Sequence, residues 1–243
     1  DAYTLVSNPE SVNITGNTYR GVIAGIQSLR QLFPAEIETD KKVSSMSWGI
    51  PSVQIQDAPR FGWRGLMLDV SRHFYSKEEV MEFLDLMALY KLNKFHWHLT
   101  DNPAWRIESK CYPQLNDPKY CPAARNPGKF YTYDEIRDVI KYAKERGITV
   151  IPELDIPGHS QYFLTIFGVQ MDDEKGMKIL DKLFAEFFAE IPAEDCPYIH
   201  IGSDEVRRKM KDAEGFVRYY EQLLAKHNRI PLVWDPGIKP SAT

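Results

Sequence analysis

Apolar residues recur along this chain with two periods, and the places where the period changes divide it. Near the start, Tyr3-Thr4-Leu5-Val6 and Ser11-Val12-Asn13-Ile14 alternate as strands do, with Asn8-Pro9 between them as turn chemistry. From Thr18 to Phe33 the period becomes helical. Val22, Ile23, Ile26, Leu29 and Leu32 share a face there, and Pro34 stops the run. Ser52-Val53-Gln54-Ile55-Gln56 alternates again, and Asp57-Ala58-Pro59-Arg60 reads as a boundary. Beyond Gly62 the rhythm is strand, helix, strand, helix. Strands are predicted over 65–70, 94–99, 149–154, 198–201 and 232–234, and helices over 76–90, 133–146, 174–190 and 214–227. Ser76 with Glu79 and Thr132 with Glu135 fit capping boxes, and Gly147 is a helix stop.

Repeated β-then-α units predict a parallel sheet with right-handed crossovers. The expected fold is α/β, of (β/α)8 TIM-barrel type. An open doubly wound sheet is the lesser candidate, because no G-x-G-x-x-G follows the first strand. At most five units are visible, and too few residues follow Gly62 for the about 250 that a complete barrel takes. The expectation is therefore an incomplete barrel over 58–243, truncated before its last strands, behind the C-terminal part of a small α/β domain over 1–57.

Composition narrows the class without naming a chemistry. Hydrophobic residues are 43% and charged residues 26%, an ordinary globular balance that excludes a disordered tail, a collagen-like rod and a coiled coil. A net charge of −4 argues against a non-specific nucleic-acid or anionic-membrane partner. No apolar run reaches the about 18 residues of a membrane span. Asp1-Ala2-Tyr3-Thr4 has no signal-peptide pattern, and a chain starting at Asp implies processing or cutting. Cys111, Cys121 and Cys196 are too few for a disulfide scaffold or a CxxC metal site. Pairing of Cys111 with Cys121 and two separate thiols both stay open.

In parallel α/β sheets function gathers at the C-terminal ends of the strands. Here those ends read Asp69-Val-Ser-Arg72-His73, His96-Trp-His98-Leu-Thr-Asp101, Glu153-Leu-Asp155-Ile-Pro-Gly-His159, His200-Ile-Gly-Ser-Asp204-Glu205 and Trp234-Asp235. Five endings rich in ionisable groups predict a polar cleft, since burying so many charges for structure alone is unfavourable. Asp204 and Glu205 face one cleft only if the strand stops and turns at Gly202; two close carboxylates would then raise one pKa and create a general acid. The competing account is a solvated acidic pair opening a helix. Arg72 is a fork for hydroxyls or a carboxylate, or an ion-pair partner of Asp101. Asp101 and His159 are a candidate carboxylate–imidazole pair, and Glu153 and Asp155 read as supporting polar groups. His96 and His98 share a strand face and form a possible metal pair, but strict alternation puts Asp101 on the other face and no third ligand follows at metal spacing. No metal and no cofactor is expected. Trp97, Trp105 and Trp234 are candidate sugar platforms, Trp97 being better explained as core and Trp234 best placed for a ligand.

Arg64-Gly-Leu-Met-Leu-Asp-Val-Ser-Arg-His-Phe74, Lys94-Phe-His-Trp-His-Leu-Thr-Asp101, Ile151-Pro-Glu-Leu-Asp-Ile-Pro-Gly-His159 and His200-Ile-Gly-Ser-Asp-Glu205 together resemble the β-N-acetylhexosaminidases of glycoside hydrolase family 20. The match runs from about Asp57 to Trp234, and Leu29-Arg-Gln-Leu-Phe-Pro34 resembles the end of the small domain that precedes the barrel there. The resemblance implies an exo-acting glycosidase that removes terminal β-linked GlcNAc or GalNAc by a retaining, substrate-assisted route. In it Glu205 matches the general acid, Asp204 the residue that holds the acetamido N–H, Arg72 the binder of sugar hydroxyls, Asp101 and His159 the pair supporting the acid, and Trp234 a wall of the acetamido pocket. It implies a glycan or glycoconjugate partner and a secreted, periplasmic or lysosomal location rather than a cytoplasmic one. Ser203 stands for a common Gly, Asn102-Pro103 for a usual Asp-Gln, and Asp235-Pro-Gly departs from the usual Asp-Glu. The later Asp-Tyr pair and further tryptophans of the family have no counterpart before Thr243. An inactive or sugar-binding fragment, awaiting the remainder of the enzyme, is the alternative, and a zinc-dependent amidohydrolase a third.

Overall fold

The computed structural model describes residues 1–122, 124–206 and 210–238; the predicted barrel's tail, 239–243, lies outside them. The N-terminal hairpin forms as its pattern predicts. β1 (Tyr3–Ser7) pairs antiparallel with β2 (Val12–Gly16), Ser7 opposite Val12. Asn8 Oδ1 accepts the backbone N–H groups of Glu10 and Ser11 in the turn. The Thr18 hydroxyl caps α1 (Tyr19–Leu32), and β3 (Gln54–Asp57) adds to the other side of β1, giving the order β2-β1-β3.

Five parallel strands follow. β4 (Gly65–Asp69), α2 (Lys77–Leu89), β5 (Lys94–His98), the short hairpin β6 (Thr100–Asp101) and β7 (Ala104–Trp105), α3 (Tyr133–Glu145), β8 (Thr149–Glu153), α4 (Gln161–Phe167), α5 (Glu174–Glu190), β9 (Tyr198–His200), α6 (Ala213–Lys226) and β10 (Ile230–Leu232) run in that order. The sheet order is β10-β9-β8-β5-β4, so the chain adds strands in one direction, as a barrel does. Both predicted capping boxes are present, with Ser76 and Thr132 each bonded reciprocally to the Glu three residues on. Phe95, Trp97 and Leu99 point outward into a fully buried core, where Trp97 meets Tyr131 with ring centroids 4.7 Å apart. Trp105 is buried as well, so neither tryptophan is a sugar platform.

Three elements differ from expectation. The last strand lies two residues earlier than 232–234, because Ile230 rather than Trp234 continues the ladder to β9. α4 was not predicted; its seven residues carry too short a run to show a helical period. The β6–β7 hairpin breaks the alternation after Leu99 and turns Asp101 toward His98 rather than away from it.

Register positions the site. Asp69 pairs with His98, His98 with Glu153, Glu153 with His200 and His200 with Leu232. Neighbouring parallel strands at one level point the same way, so these ends deliver a carboxylate, an imidazole, a carboxylate and an imidazole to one interior level. Among the described residues, β4 and β10 each pair on one side only.

Candidate active site

The floor of the site is Glu153, the fully buried last residue of β8, in the middle of the sheet. Its Oε2 lies 2.6 Å from both His96 Nε2 and His98 Nδ1, and its Oε1 accepts the Trp234 indole N–H at 2.8 Å. His200 Nδ1 is 3.3 Å from Oε1 and accepts the Gly202 N–H at 3.0 Å. Burial opposes the charge on Glu153, but the hydrogen bonds from the surrounding imidazoles outweigh it and hold the carboxyl far below the usual range. Burial also favours neutral His96.

His98 carries the network upward. Its Nε2 lies 3.0 Å from Asp101 Oδ2. With a carboxylate on each nitrogen, both nitrogens donate; these bonds overcome burial and push the imidazole up to about 10. Asp101 Oδ2 also meets Arg72 Nη2 at 2.6 Å, and its Oδ1 takes the Asn102 N–H at 2.5 Å and faces His159 Nδ1 at 3.5 Å. Arg72 binds Asp69 through Nη1 at 2.5 Å, so it bridges two carboxylates while its side chain stays 53% exposed. The bond to Asp101 leads the causes that raise His159 to about 9.

His159 Nε2 lies 3.6 Å from Glu205 Oε2 and 3.9 Å from Asp204 Oδ2. The predicted interruption of the fourth strand brings both acids to it. β9 stops at His200, and Gly202, Ser203 and Glu205 have φ of 64°, 72° and 46°. Only glycine fits at 202: an added Cβ would sit 1.8 Å from Asp155 Oδ1. A Cβ on Gly158 would come 2.6 Å from the Asp204 carbonyl, so the loop bearing His159 packs directly on the loop bearing the acids. His159 itself has φ 45°. Three of the site's non-glycine residues thus hold left-handed backbone, a sparsely populated conformation that persists where its surroundings enforce it.

A cleft of about 390 Å³ opens over this group, lined by Asn102, Gly158, His159, Gln161, Leu164 and Glu205. The Asp204 side chain is 24% exposed and that of Glu205 58%. Among the described residues, Asp204 Oδ1 is buried without a hydrogen-bond partner. Trp234 is joined to this loop by its backbone, N–H to Gly202 O at 3.0 Å. Its ring stacks on His96 and lines a different cavity of about 380 Å³ with Met67, His200 and Leu232. Of the six predicted site residues, His159 and Glu205 line this cleft, Asp204, Asp101 and Arg72 are joined to His159 through the chain of ion pairs behind it, and Trp234 turns its ring to the cavity beside it.

Among the described residues, four groups of side chains have metal-like spacing: His96–Glu153–His200, Asp69–His98–Asp101, His98–Glu153–Asp155 and Asp101–Asp155–His159. Both nitrogens of His98 are used on carboxylates, and His96 Nε2 and His200 Nδ1 are used in hydrogen bonds, so in the first three groups a metal would have to displace bonds already made. The three cysteines are free thiols; Cys111 and Cys121 do not pair.

Sequence reasoning missed His98 as the link between Glu153 and Asp101. The strand register that stacks His98 on Glu153 has no signature in single-strand periodicity. Asp69, noted only as a strand end, proved to be the second anchor of Arg72.

Comparison with known proteins agrees with this geometry. Residues 61–168 match the model of glycosyl hydrolase family 20, catalytic domain, and residues 1–58 that of glycosyl hydrolase family 20, domain 2. A β-hexosaminidase of Porphyromonas gingivalis is 36% identical over the whole chain, which covers 37% of that protein; one of Vibrio furnissii is 36% identical over 84% of the chain. The chain spans 37% of the length of both relatives. A solved mutant β-hexosaminidase of Streptomyces plicatus, in complex with the product GlcNAc, superimposes with a TM-score of 0.89 at 32% identity, covering 99% of this chain and 52% of that one. A Vibrio harveyi exo-β-N-acetylglucosaminidase in complex with N-acetylglucosamine gives 0.81 at 33%, covering 96% and 44%. The catalytic-domain model ends before Asp204, but the Porphyromonas relative aligns through it. With five parallel strands in barrel order, both family models matched and relatives 36% identical, the chain belongs to glycosyl hydrolase family 20.

Proposed function

We propose that this chain carries the acid-bearing rim of an exo-acting β-N-acetylhexosaminidase site, which removes terminal β-linked GlcNAc or GalNAc from glycans or glycoconjugates. The division into 1–57 and a catalytic unit over 58–243 is part of that reading. The observation that carries it is the pair of adjacent acids facing one imidazole, Glu205 at 3.6 Å and Asp204 at 3.9 Å, with Asp204 Oδ1 buried and, among the described residues, unpartnered. A buried acceptor without a donor is unfavourable, and an acetamido N–H supplies the donor.

In this reading the sugar's own acetamido oxygen attacks the anomeric carbon while Glu205 gives its proton to the leaving oxygen. An oxazolinium intermediate forms, and Asp204 holds its N–H and stabilises its positive charge. Glu205, now a carboxylate, takes a proton from water as that water attacks the anomeric carbon, and two inversions give net retention. His159, backed by Asp101, orients the acids, Arg72 offers its exposed guanidinium to sugar hydroxyls, and Trp234 supplies one wall for the acetamido group. No side chain acts as nucleophile.

A second reading, sugar binding without turnover, is favoured by the edges of β4 and β10, unpaired among the described residues, between which the Trp234 cavity lies. Remaining strands of the same enzyme would close that side. Assay of the 243-residue chain beside a longer polypeptide, with an aryl β-N-acetylglucosaminide, separates the two. Turnover by the chain supports the first reading. Binding of N-acetylglucosamine without turnover, with activity only in the longer protein, supports the second. Absence of both overturns the proposal.

A further inference from the structure

Arg72 and His98 both hold Asp101 Oδ2, but they are not equivalent holders. Arg72 is 53% exposed and divides its fork between Asp101 and Asp69. On the functional reading above, it turns to sugar hydroxyls once a ligand is present. His98 is buried at the end of β5, and its ring is fixed from both sides, by Glu153 Oε2 at 2.6 Å and Asp101 Oδ2 at 3.0 Å. Glu153 is itself immobilised by His96 and Trp234.

We propose that His98 is a positioning residue. By donating from both ring nitrogens it keeps the Asp101 carboxylate clamped to Glu153, so that Asp101 Oδ1 stays turned to His159 while Arg72 is occupied by sugar. The inference rests on the functional reading, because it places the contribution of His98 in the ligand-bound state. The groups that face His98 are Asp69 from β4, Glu153 and Asp155 from β8 and the turn after it, Asp101 from β6, and neutral His96 from its own strand. Carboxylates dominate that set, so the ring keeps both protons.

The clamp is testable because an amide can replace one imidazole nitrogen at a time. Asn places its donor near Nδ1 and Gln near Nε2. His98→Gln therefore keeps the bond to Asp101 and loses the one to Glu153, and His98→Asn does the reverse. With an aryl β-N-acetylglucosaminide, His98→Asn is expected to lower kcat about a hundredfold with KM little changed, and His98→Gln by no more than about tenfold, both losing similar Tm. Equal kcat losses, or losses that simply follow Tm, overturn the proposal. If the variants do not fold, or the chain turns over no substrate, the ring 15N–1H spectrum of the unsubstituted chain at pH 8 decides. Two N–H protons on His98, retained when N-acetylglucosamine is bound, are expected, and loss of either overturns the clamp. Failure of turnover in the longer protein as well, with both protons retained, overturns the functional reading instead.

Discussion

Glu153 and Glu205 are the same side chain in opposite surroundings. Glu153 ends a regular strand, is fully buried and accepts three N–H groups at 2.6–2.8 Å, so it stays ionised. Glu205 sits on left-handed backbone at φ 46°, is 58% exposed, and lies 3.6 Å from His159. The contrast separates two kinds of position in this sheet. Regular strands bury and fix their charges, and the irregular loop beyond β9 presents Glu205, the acid of the proposed function, to the cleft. The two regions communicate through His98, Asp101 and His159.

The largest break expected is at the loop. Glu205→Gln should reduce hydrolysis of an aryl β-N-acetylglucosaminide roughly a thousandfold, with Tm unchanged. A variant retaining more than a few per cent would place the acid elsewhere. Next is Gly202→Ala. The left-handed φ of 64° costs an L-residue about 2 kcal/mol, and the new methyl would overlap Asp155. Turnover and Tm should both fall, and in the crystal Asp204 should move away from His159. Wild-type behaviour would mean that the turn does not position the acids.

The pH dependence sharpens the strand side. His98 and His159 are raised from 6.5 to about 10 and about 9, so the stability they give is complete below 6.5 and is lost as pH rises through those values. Asp155 is raised from 3.8 to about 8, by burial first and then by the charge of Glu153. An acid raised on folding opposes stability increasingly from pH 4 to 8 and adds no further slope above that. All three slopes have the same sign between 6.5 and 8, so urea unfolding should show stability falling there. Asp155→Asn should flatten the curve, and an unchanged slope would show that Asp155 is ionised in the folded chain. The smallest effect lies outside both regions. Arg30 and Glu38 form an exposed pair, and Arg30→Ala should change unfolding free energy by less than about 1 kcal/mol. A larger change would show that exposed pairs matter here as much as the buried cluster.

Much of the fold was readable because local signals and tertiary structure agree. Ser76 and Thr132 opened the helices they announced, and Asn8 turned the first hairpin. The turn that brings Asp204 and Glu205 to His159 was readable because Gly202 precedes them. What was not readable depends on neighbours distant in sequence. Asp101 faces His98 because a two-residue hairpin with Ala104–Trp105 interrupts the strand, and Glu153 meets His98 only through the register of β5 on β8. Trp234 was expected as a wall of the acetamido pocket; the bond from its indole to Glu153, which spans 81 residues of chain and sets where that wall stands, was not readable.

The central claim is that the sugar's 2-acetamido group, held by Asp204, is the nucleophile. The direct measurement compares an aryl 2-acetamido-2-deoxy-β-glucoside with the corresponding β-glucoside bearing a 2-hydroxyl, following the first-formed sugar by proton NMR. The account predicts cleavage of the acetamido substrate alone, with the β-anomer released first. Comparable cleavage of the 2-hydroxyl substrate, or initial release of the α-anomer, would contradict it.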